Sequence, residues 1–142
     1  MSWSDWYECK FGENGEIDTW YVENKSPHYP GIYAIATKTG WGYNCIYIGM
    51  SRRSIWKRLQ AHFSGKGNRI VRELLNSKKD SRSVGFQNLD ALYFMYLEAP
   101  SRDVQWLEAL YVRGTQPICN IQENLSLPRE LRDATVPLEP ED

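Results

Sequence analysis

The sequence predicts a mixed fold of the α/β (α+β) class: a small three-stranded antiparallel sheet flanked by helices, with an added N-terminal β-hairpin. Residues 31–37, 45–50 and 89–98 are rich in β-branched and aromatic side chains and end at turn residues, which is typical of strands. Between and after these runs, apolar residues recur every three or four positions, which indicates helices. The 142 residues fit one domain with one hydrophobic core.

The N-terminal segment favours a β-ribbon. Residues 5–11 and 16–22 alternate between apolar and polar side chains, and they flank the turn sequence Gly-Glu-Asn-Gly at 12–15. Prolines and acidic residues are frequent at the other end of the chain, which predicts a loosely attached tail. The predicted division is a β-ribbon extension over residues 1–24, a core over residues 25–124, and an acidic, proline-containing tail over residues 125–142.

The first two core strands carry a pair of tyrosines. The link between these strands, residues 38–44, is short and holds two glycines, which favours a hairpin-like connection between antiparallel neighbours. Tyr33 and Tyr47 are therefore predicted to lie near each other on one small sheet. A second interpretation of these side chains stays open, namely that they are strand aromatics that only pack the core.

The residues after the second strand predict a helix whose buried face borders a cleft. Ser51 or Ser54 is the predicted N-cap, and the apolar stripe consists of Ile55, Leu59 and Phe63. Arg58 and His62 are four residues apart, so they share one edge of that stripe. A charged pair at the border of a buried face, just after a strand end, points towards a cleft rather than bulk water.

Two further helices are predicted. Asn68 is the candidate cap of the first, and a polar loop over residues 79–88 separates this helix from the third core strand. Ser101 is the candidate cap of the second, in which Glu108 falls inside an apolar arc. A buried carboxylate is costly unless it is paired or bound to a metal. The alternatives for Glu108 are therefore a metal ligand and a salt bridge to a core arginine.

The charge distribution favours a polyanionic partner more than the net charge of −1 does. Residues 52–82 hold ten Lys or Arg side chains against two acidic ones, whereas residues 1–24 and 123–142 are acidic. The local field matters more than the sum for a nucleic acid. The alternative is a charged helical surface that is merely solvated. The candidate nucleic-acid-binding residues are Arg52, Arg53, Lys57, Lys66, Arg69 and Arg72.

Several other classes of protein are disfavoured. Three cysteines lie far apart with no CxxC pair, and only two histidines occur, so a structural zinc site is not expected. No apolar run reaches 18 residues, so we expect no membrane partner. The first residues lack the basic-then-apolar pattern of a signal peptide, which favours a cytoplasmic or nucleoid-associated protein.

Two tripeptides begin a series of five elements along the chain. They are Gly-Ile-Tyr at 31–33 and Tyr-Ile-Gly at 47–49, and Arg58, Glu108 and a proline-to-asparagine segment at 117–120 follow them. In this series the chain resembles the GIY-YIG nuclease family, over nearly two thirds of its length. His62 is similar to a histidine found in several restriction-type members, which favours a single-domain, restriction-like or stand-alone relative.

The resemblance implies a metal-dependent endonuclease that hydrolyses phosphodiester bonds in DNA, on a GIY-YIG-like fold. It implies that Tyr33 helps to deprotonate the attacking water and that Tyr47 orients water or phosphate. Arg58 is suited to a phosphate oxygen, and His62 stays open as a second base or as a charged phosphate donor. Glu108 would hold one divalent metal, for which magnesium is expected because water and phosphate can fill its remaining positions. The residues that would support the site are Gly31, Gly49 and Asn120.

Two other functions are compatible with the same sequence. One is a non-catalytic nucleic-acid-binding module that retains the GIY-YIG fold, although both tyrosines, Arg58 and Glu108 are present. The other is a protein-interaction domain that uses the acidic ends and exposed tryptophans. The recognition sequence, the choice between DNA and RNA, and the oligomeric state stay open.

Overall fold

The protein forms a four-stranded antiparallel sheet with helices on both faces. The computed structural model describes residues 2–40, 42–68, 71, 72, 75, 76, 89–117 and 120. The strands are β1 (Tyr7–Lys10), β2 (Gly31–Thr39), β3 (Gly42–Ser51) and β4 (Ala91–Glu98), in the order β1-β4-β2-β3. The helices are α1 (Trp20–Lys25), α2 (Ile55–Phe63) and α3 (Val104–Thr115), and a 3₁₀ turn, Ser101–Asp103, precedes α3.

The predicted α+β class and the three core strands are confirmed, but the sheet has four strands, not three. β1 pairs with β4, with Tyr7 opposite Phe94 and Cys9 opposite Leu92. It is therefore an edge strand of the central sheet. Cys9 is fully buried in the core, which explains why this short strand docks there.

The N-terminal hairpin prediction is wrong in its second half. The turn forms, because the Gly12 N–H donates to the Glu16 carbonyl at 2.7 Å, but pairing stops after a single bridge. The Asp18 carboxylate then accepts the Trp20 N–H at 2.9 Å and starts α1, where a strand was expected to continue. Local bonding of an Asp side chain to the backbone competes with strand pairing in this way.

The β2–β3 hairpin is confirmed and is longer than predicted. The strands run on to Thr39 and Gly42, which face each other, so most of the expected link belongs to the sheet. The ring of Tyr43 stacks on Trp6 at 4.8 Å between centroids, which gives the end of the hairpin a packing partner. Within the described residues, β3 has no further neighbour in the sheet and forms its other edge.

The two faces of the sheet carry different helices. Tyr33 and Ile35 of β2 pack on the α2 face, in one core cluster with Ile55, Leu59 and Phe63 of α2. Ile32 and Ala34, which alternate with them, pack on the α3 face, where Val104, Leu107 and Val112 of α3 lie. This alternation follows from the two-residue period of a strand. Alternate residues of β2 therefore pack against different helices, α2 on one face of the sheet and α3 on the other.

Two of the three helix caps predicted from the sequence, Ser54 and Asn68, are confirmed. The Ser54 hydroxyl accepts the Lys57 N–H at 3.2 Å at the start of α2. The Asn68 side chain accepts the Val71 N–H at 3.1 Å, and residues 71, 72, 75 and 76 are helical. The prediction for Ser101 is wrong, because its hydroxyl donates to the Arg52 carbonyl at 3.0 Å and a 3₁₀ turn starts the helix instead.

Part of what was predicted lies outside the described residues. The polar loop at 79–88 and the acidic tail at 125–142 both do, and the division of the chain into three segments stays a prediction. Within the described part of the chain, no helix has the length and apolar character needed to cross a lipid bilayer.

Candidate functional site

The two motif tyrosines meet on the α2 face of the sheet. Tyr33 lies opposite Gly49 and Tyr47 lies opposite Ile35, and the two phenol rings are 6.4 Å apart between centroids. Both side chains are buried. A Cβ atom at Gly49 would collide with the hydroxyl and ring of Tyr33. Glycine at this position therefore lets the Tyr33 hydroxyl lie directly over the edge strand β3.

His62 joins this pair from α2. Its Nε2 atom is 2.7 Å from the Tyr33 hydroxyl, and its ring centroid is 5.0 Å from that of Tyr47. Its other ring nitrogen, Nδ1, accepts the backbone N–H of Asn68 at 3.2 Å. Burial, together with the nearby Arg58 charge, lowers the pKa of His62 to about 3, so the imidazole is neutral at pH 7. A charged His62 that donates to phosphate does not fit this environment.

Arg58 lies one helical turn before His62 and is 8% exposed. Its guanidinium stays charged at any ordinary pH and offers a planar set of donors. Backbone donors at the start of α2 cannot replace it: the first three N–H groups already donate to the carbonyls of Tyr29 and Pro27 and to the Ser54 hydroxyl, at 2.9, 2.8 and 3.2 Å. A phosphate at this end of α2 therefore depends on side chains.

Glu108 is deeply buried, as the sequence predicts, at 1% exposure. It lies on α3, which packs on the opposite face of the sheet from the tyrosines. Both α2 and α3 contact β3. β3 is therefore a strand that the helices of Glu108 and of His62 have in common.

Among the described residues, few side chains could join Glu108 as ligands of a metal. The described residues contain no group of three or more His, Cys, Asp or Glu side chains that could hold an ion. Magnesium is compatible with such a site, since it keeps several waters and often takes one or two carboxylates plus phosphate oxygens. One carboxylate, completed by water and phosphate oxygens, would be a donor set that magnesium accepts.

Asn120 and Gly31 hold the backbone around the site. The Asn120 side chain accepts the Ile48 N–H at 2.9 Å and donates to the Ile48 carbonyl at 3.0 Å. These two bonds satisfy the outward-facing backbone N–H and carbonyl of Ile48, the residue that follows Tyr47 in the edge strand β3. Gly31 lies opposite Ser51 and Glu98, where a Cβ atom would collide with the Leu97 carbonyl.

The predicted nucleic-acid-binding residues are largely on the surface. Arg69 lies outside the described residues, and the other five are exposed: Arg52, Arg53, Lys57, Lys66 and Arg72. The Arg52 guanidinium donates to the Gln105 side chain at 2.7 Å and so connects the loop before α2 with α3. Arg52 and Arg53 thus lie in the short connection that leads into α2, the helix that carries Arg58.

The structure brings together Tyr33, Tyr47, Arg58 and His62, whereas Glu108 enters from the other face. Sequence reasoning missed the contact of the Asn68 amide with His62, because it assigned Asn68 only a capping role. A backbone donor leaves no trace in residue type. The one available signal was the glycine at position 67, where a Cβ atom would collide with Nδ1 of His62.

No protein-family model matches the chain, and searches of curated proteins and of solved structures found no significant similarity.

Proposed function

We propose that the protein is a metal-dependent endonuclease that hydrolyses phosphodiester bonds in DNA. The observation that supports it most is the Tyr33 hydroxyl, held 2.7 Å from the His62 imidazole, with the Tyr47 ring nearby and the Arg58 charge acting on His62. The imidazole and the two phenols are groups that can transfer protons. The arginine is a group that can bind phosphate.

The chain's own residues have distinct roles in this proposal. A phenol has an ordinary pKa near ~10 and is a poor base at pH 7 unless its neighbours favour the phenolate. The Arg58 charge and a hydrogen bond from His62 both favour it. Tyr33 then takes a proton from the attacking water, and Tyr47 orients the water or the phosphate. Arg58 stabilises the negative charge that develops on the phosphoryl oxygens.

Glu108 is the proposed ligand of the metal. A bound magnesium ion would supply positive charge to the phosphate oxygens and to the leaving oxygen. The chain's part is to hold one carboxylate at a buried position on α3. Water and substrate phosphate would complete the ligand set.

Burial of the site sets the order of contacts with the substrate. Tyr33, Tyr47 and His62 are each 1% exposed or less, whereas Arg58 is 8% exposed. A phosphate that approaches the cluster meets Arg58 first. Cleavage therefore requires a movement that admits a water molecule to Tyr33.

The same burial favours a second candidate function, a nucleic-acid-binding module without catalysis. In that case the Tyr33–His62 pair is a satisfied polar group of the core, and only the exposed basic residues contact the substrate. This second function predicts salt-dependent binding that needs neither magnesium nor the Tyr33 hydroxyl.

The two functions are separated by incubating the protein with supercoiled plasmid, single-stranded DNA and RNA, each with and without magnesium. The nuclease proposal predicts nicked or linear plasmid in magnesium and intact plasmid in EDTA. Binding to plasmid without cleavage, over a range of divalent ions, would favour the binding module. Cleavage of RNA alone would replace DNA as the substrate and leave the reaction type unchanged.

A further inference from the structure

We propose that the backbone amide of Asn68 fixes His62 as a hydrogen-bond donor to Tyr33, so that the imidazole positions the phenolate and is not itself the base. The kinetic consequence of this inference rests on the proposed nuclease function. The assignment of the His62 tautomer depends only on the geometry of α2 and of the loop that follows it.

The direction of each hydrogen bond follows from elementary chemistry. A backbone N–H can only donate, so the Nδ1 atom that receives the Asn68 N–H at 3.2 Å has a lone pair and no proton. A neutral imidazole has one proton, which must then be on Nε2. Since Nε2 is 2.7 Å from the Tyr33 hydroxyl, the Nε2–H donates and the Tyr33 oxygen accepts.

The loop that supplies this amide is held on both sides. Before it, the Lys66 N–H donates to the Ala61 carbonyl at 2.8 Å, and Gly65 adopts a left-handed φ of 83° that closes the end of α2. After it, the Asn68 side chain accepts the Val71 N–H at 3.1 Å. The amide is therefore fixed relative to α2 and to the helical turn that follows.

Gly67 allows the close approach. A Cβ atom at this position would collide with Nδ1, Cε1 and Cγ of the imidazole. Any side chain there would push His62 away from the amide and from Tyr33. The pairing of glycine at 67 with a histidine five residues earlier is thus required by the contact.

The surroundings oppose a proton-accepting role for His62. Among the described residues, the groups that face the Tyr33–His62 pair include Tyr47 on β3, Arg58 on α2 and, opposite Tyr33 on β4, Tyr96. The positive charge of Arg58 opposes a second positive charge on the imidazole but favours an anionic phenolate. Burial acts in the same direction on His62, whose pKa is lowered to about 3.

Nitrogen NMR of the two histidines tests the tautomer without any assay of cleavage. His28 is exposed and stacks on Trp56, so a His28→Gln variant assigns the signals. We expect His62 to show a protonated Nε2 and an unprotonated Nδ1 at pH 7, with no titration down to pH 5. A protonated Nδ1, or titration near the ordinary value of about 6.5, would overturn the proposal.

A glycine pair serves as the matched comparison. Gly67→Ala is expected to displace the imidazole and to shift its nitrogen signals towards a mixture of tautomers. Gly114→Ala, where a Cβ atom meets nothing within 4 Å, is expected to leave them unchanged. Signals that do not respond to Gly67→Ala would show that the amide does not fix the ring.

Kinetics of two His62 variants separate a donor from a base. His62→Gln retains an N–H donor but cannot accept the proton of water, whereas His62→Leu retains neither. We expect the glutamine variant to cleave at least about tenfold faster than the leucine variant, since a lost donor of this kind costs roughly 10²–10³ in rate. Equal loss in both would overturn the donor role. If the wild type cleaves nothing, the nuclease proposal fails while the NMR result still decides the tautomer.

Discussion

His62 is a buried imidazole whose charge state couples folding to pH. Its pKa is about 3 in the folded protein and close to 6.5 in an unfolded chain. Above pH 6.5 both states are neutral and the full stability is present. As the pH falls below 6.5 the unfolded state binds the proton first, so the free energy of unfolding decreases by about 1.4 kcal/mol per pH unit from this group.

Urea unfolding at pH 7, 6 and 5 measures this decrease. The expected result is a lower stability at each step, and a His62→Gln variant should lose most of the dependence between pH 6 and 5 because it has no group to titrate. An equal slope in the variant and the wild type would assign the acid sensitivity to carboxylates instead.

Glu108 is the residue whose charge the proposed metal site requires. Glu108→Gln keeps the shape of the side chain and removes the carboxylate, so cleavage in magnesium should fall below detection while DNA affinity in EDTA stays within about twofold. Single-turnover cleavage and a binding titration on the same preparation measure the two effects. Full activity of the variant in magnesium would remove Glu108 from the site.

Asn120 stabilises an element, the edge strand β3. Its amide donates to one backbone group of Ile48 and accepts from the other, at 3.0 and 2.9 Å. Asn120→Ala leaves a buried N–H and a buried carbonyl without this partner, which should cost roughly 2 kcal/mol or more of unfolding free energy. Amide exchange at Ile48 should become faster in the same variant.

Two further variants make this test specific. Asn120→Asp retains an acceptor for the Ile48 N–H but loses the donor to the Ile48 carbonyl. Because a carboxylate oxygen then faces that buried carbonyl oxygen, this variant should be at least as unstable as the alanine variant. Asn24 is an exposed asparagine that donates to the Trp20 carbonyl at 2.8 Å, and its replacement by alanine should cost less than about 0.5 kcal/mol. Equal effects at positions 24 and 120 would contradict the role given to Asn120.

Elements that are encoded locally were predictable from the sequence, and those that depend on distant partners were not. β2, β3, β4 and α2 follow from alternation, turn residues and a serine cap. The partner of β1 is β4, more than 80 residues away, and no local pattern reveals this pairing. The start of α1 depends on one Asp18 hydrogen bond that outweighed an alternating pattern.

The candidate site divides in a similar way. The alternation of side chains along β2 and β3 places Tyr33 and Tyr47 on the same face of the sheet. The four-residue spacing of Arg58 and His62 places both on one side of α2. The helical arc that predicted burial of Glu108 says nothing about which face of the sheet its helix covers. The Asn68 amide was not predictable, since a backbone group has no residue signature.

At the scale of the whole molecule, opposite charges lie at opposite edges of the sheet. The β1 edge borders an acidic cleft that includes Glu8, Glu13 and Asp90. The connection after β3 and the first turn of α2, at the other edge, carry the exposed cations Arg52, Arg53 and Lys57. A polyanion would therefore be attracted to the β3 edge, next to the strand that carries Tyr33, although the net charge is −1.

Salt dependence of DNA binding tests this orientation. The affinity should fall with salt at a log–log slope of roughly 0.9 per phosphate contacted on duplex DNA. Replacing Arg53 and Lys57 together by alanine should reduce the slope by up to about two contacts. The control variant, Lys10→Ala beside the acidic cleft, should leave the slope unchanged. A slope that the double variant changes no more than the control does would place the nucleic acid elsewhere.

The most direct test of the proposed reaction is single-turnover cleavage of duplex DNA in magnesium by the wild type and by Tyr33→Phe. The variant loses the oxygen that accepts the His62 hydrogen bond, so it should be about 1–3 kcal/mol less stable and must be assayed well below its unfolding temperature. We predict that its cleavage rate falls by ~10²–10⁴, as expected for a lost general base, while its affinity for DNA is unchanged. A rate within threefold of the wild type in the folded variant would contradict the assignment of Tyr33 and the mechanism built on it.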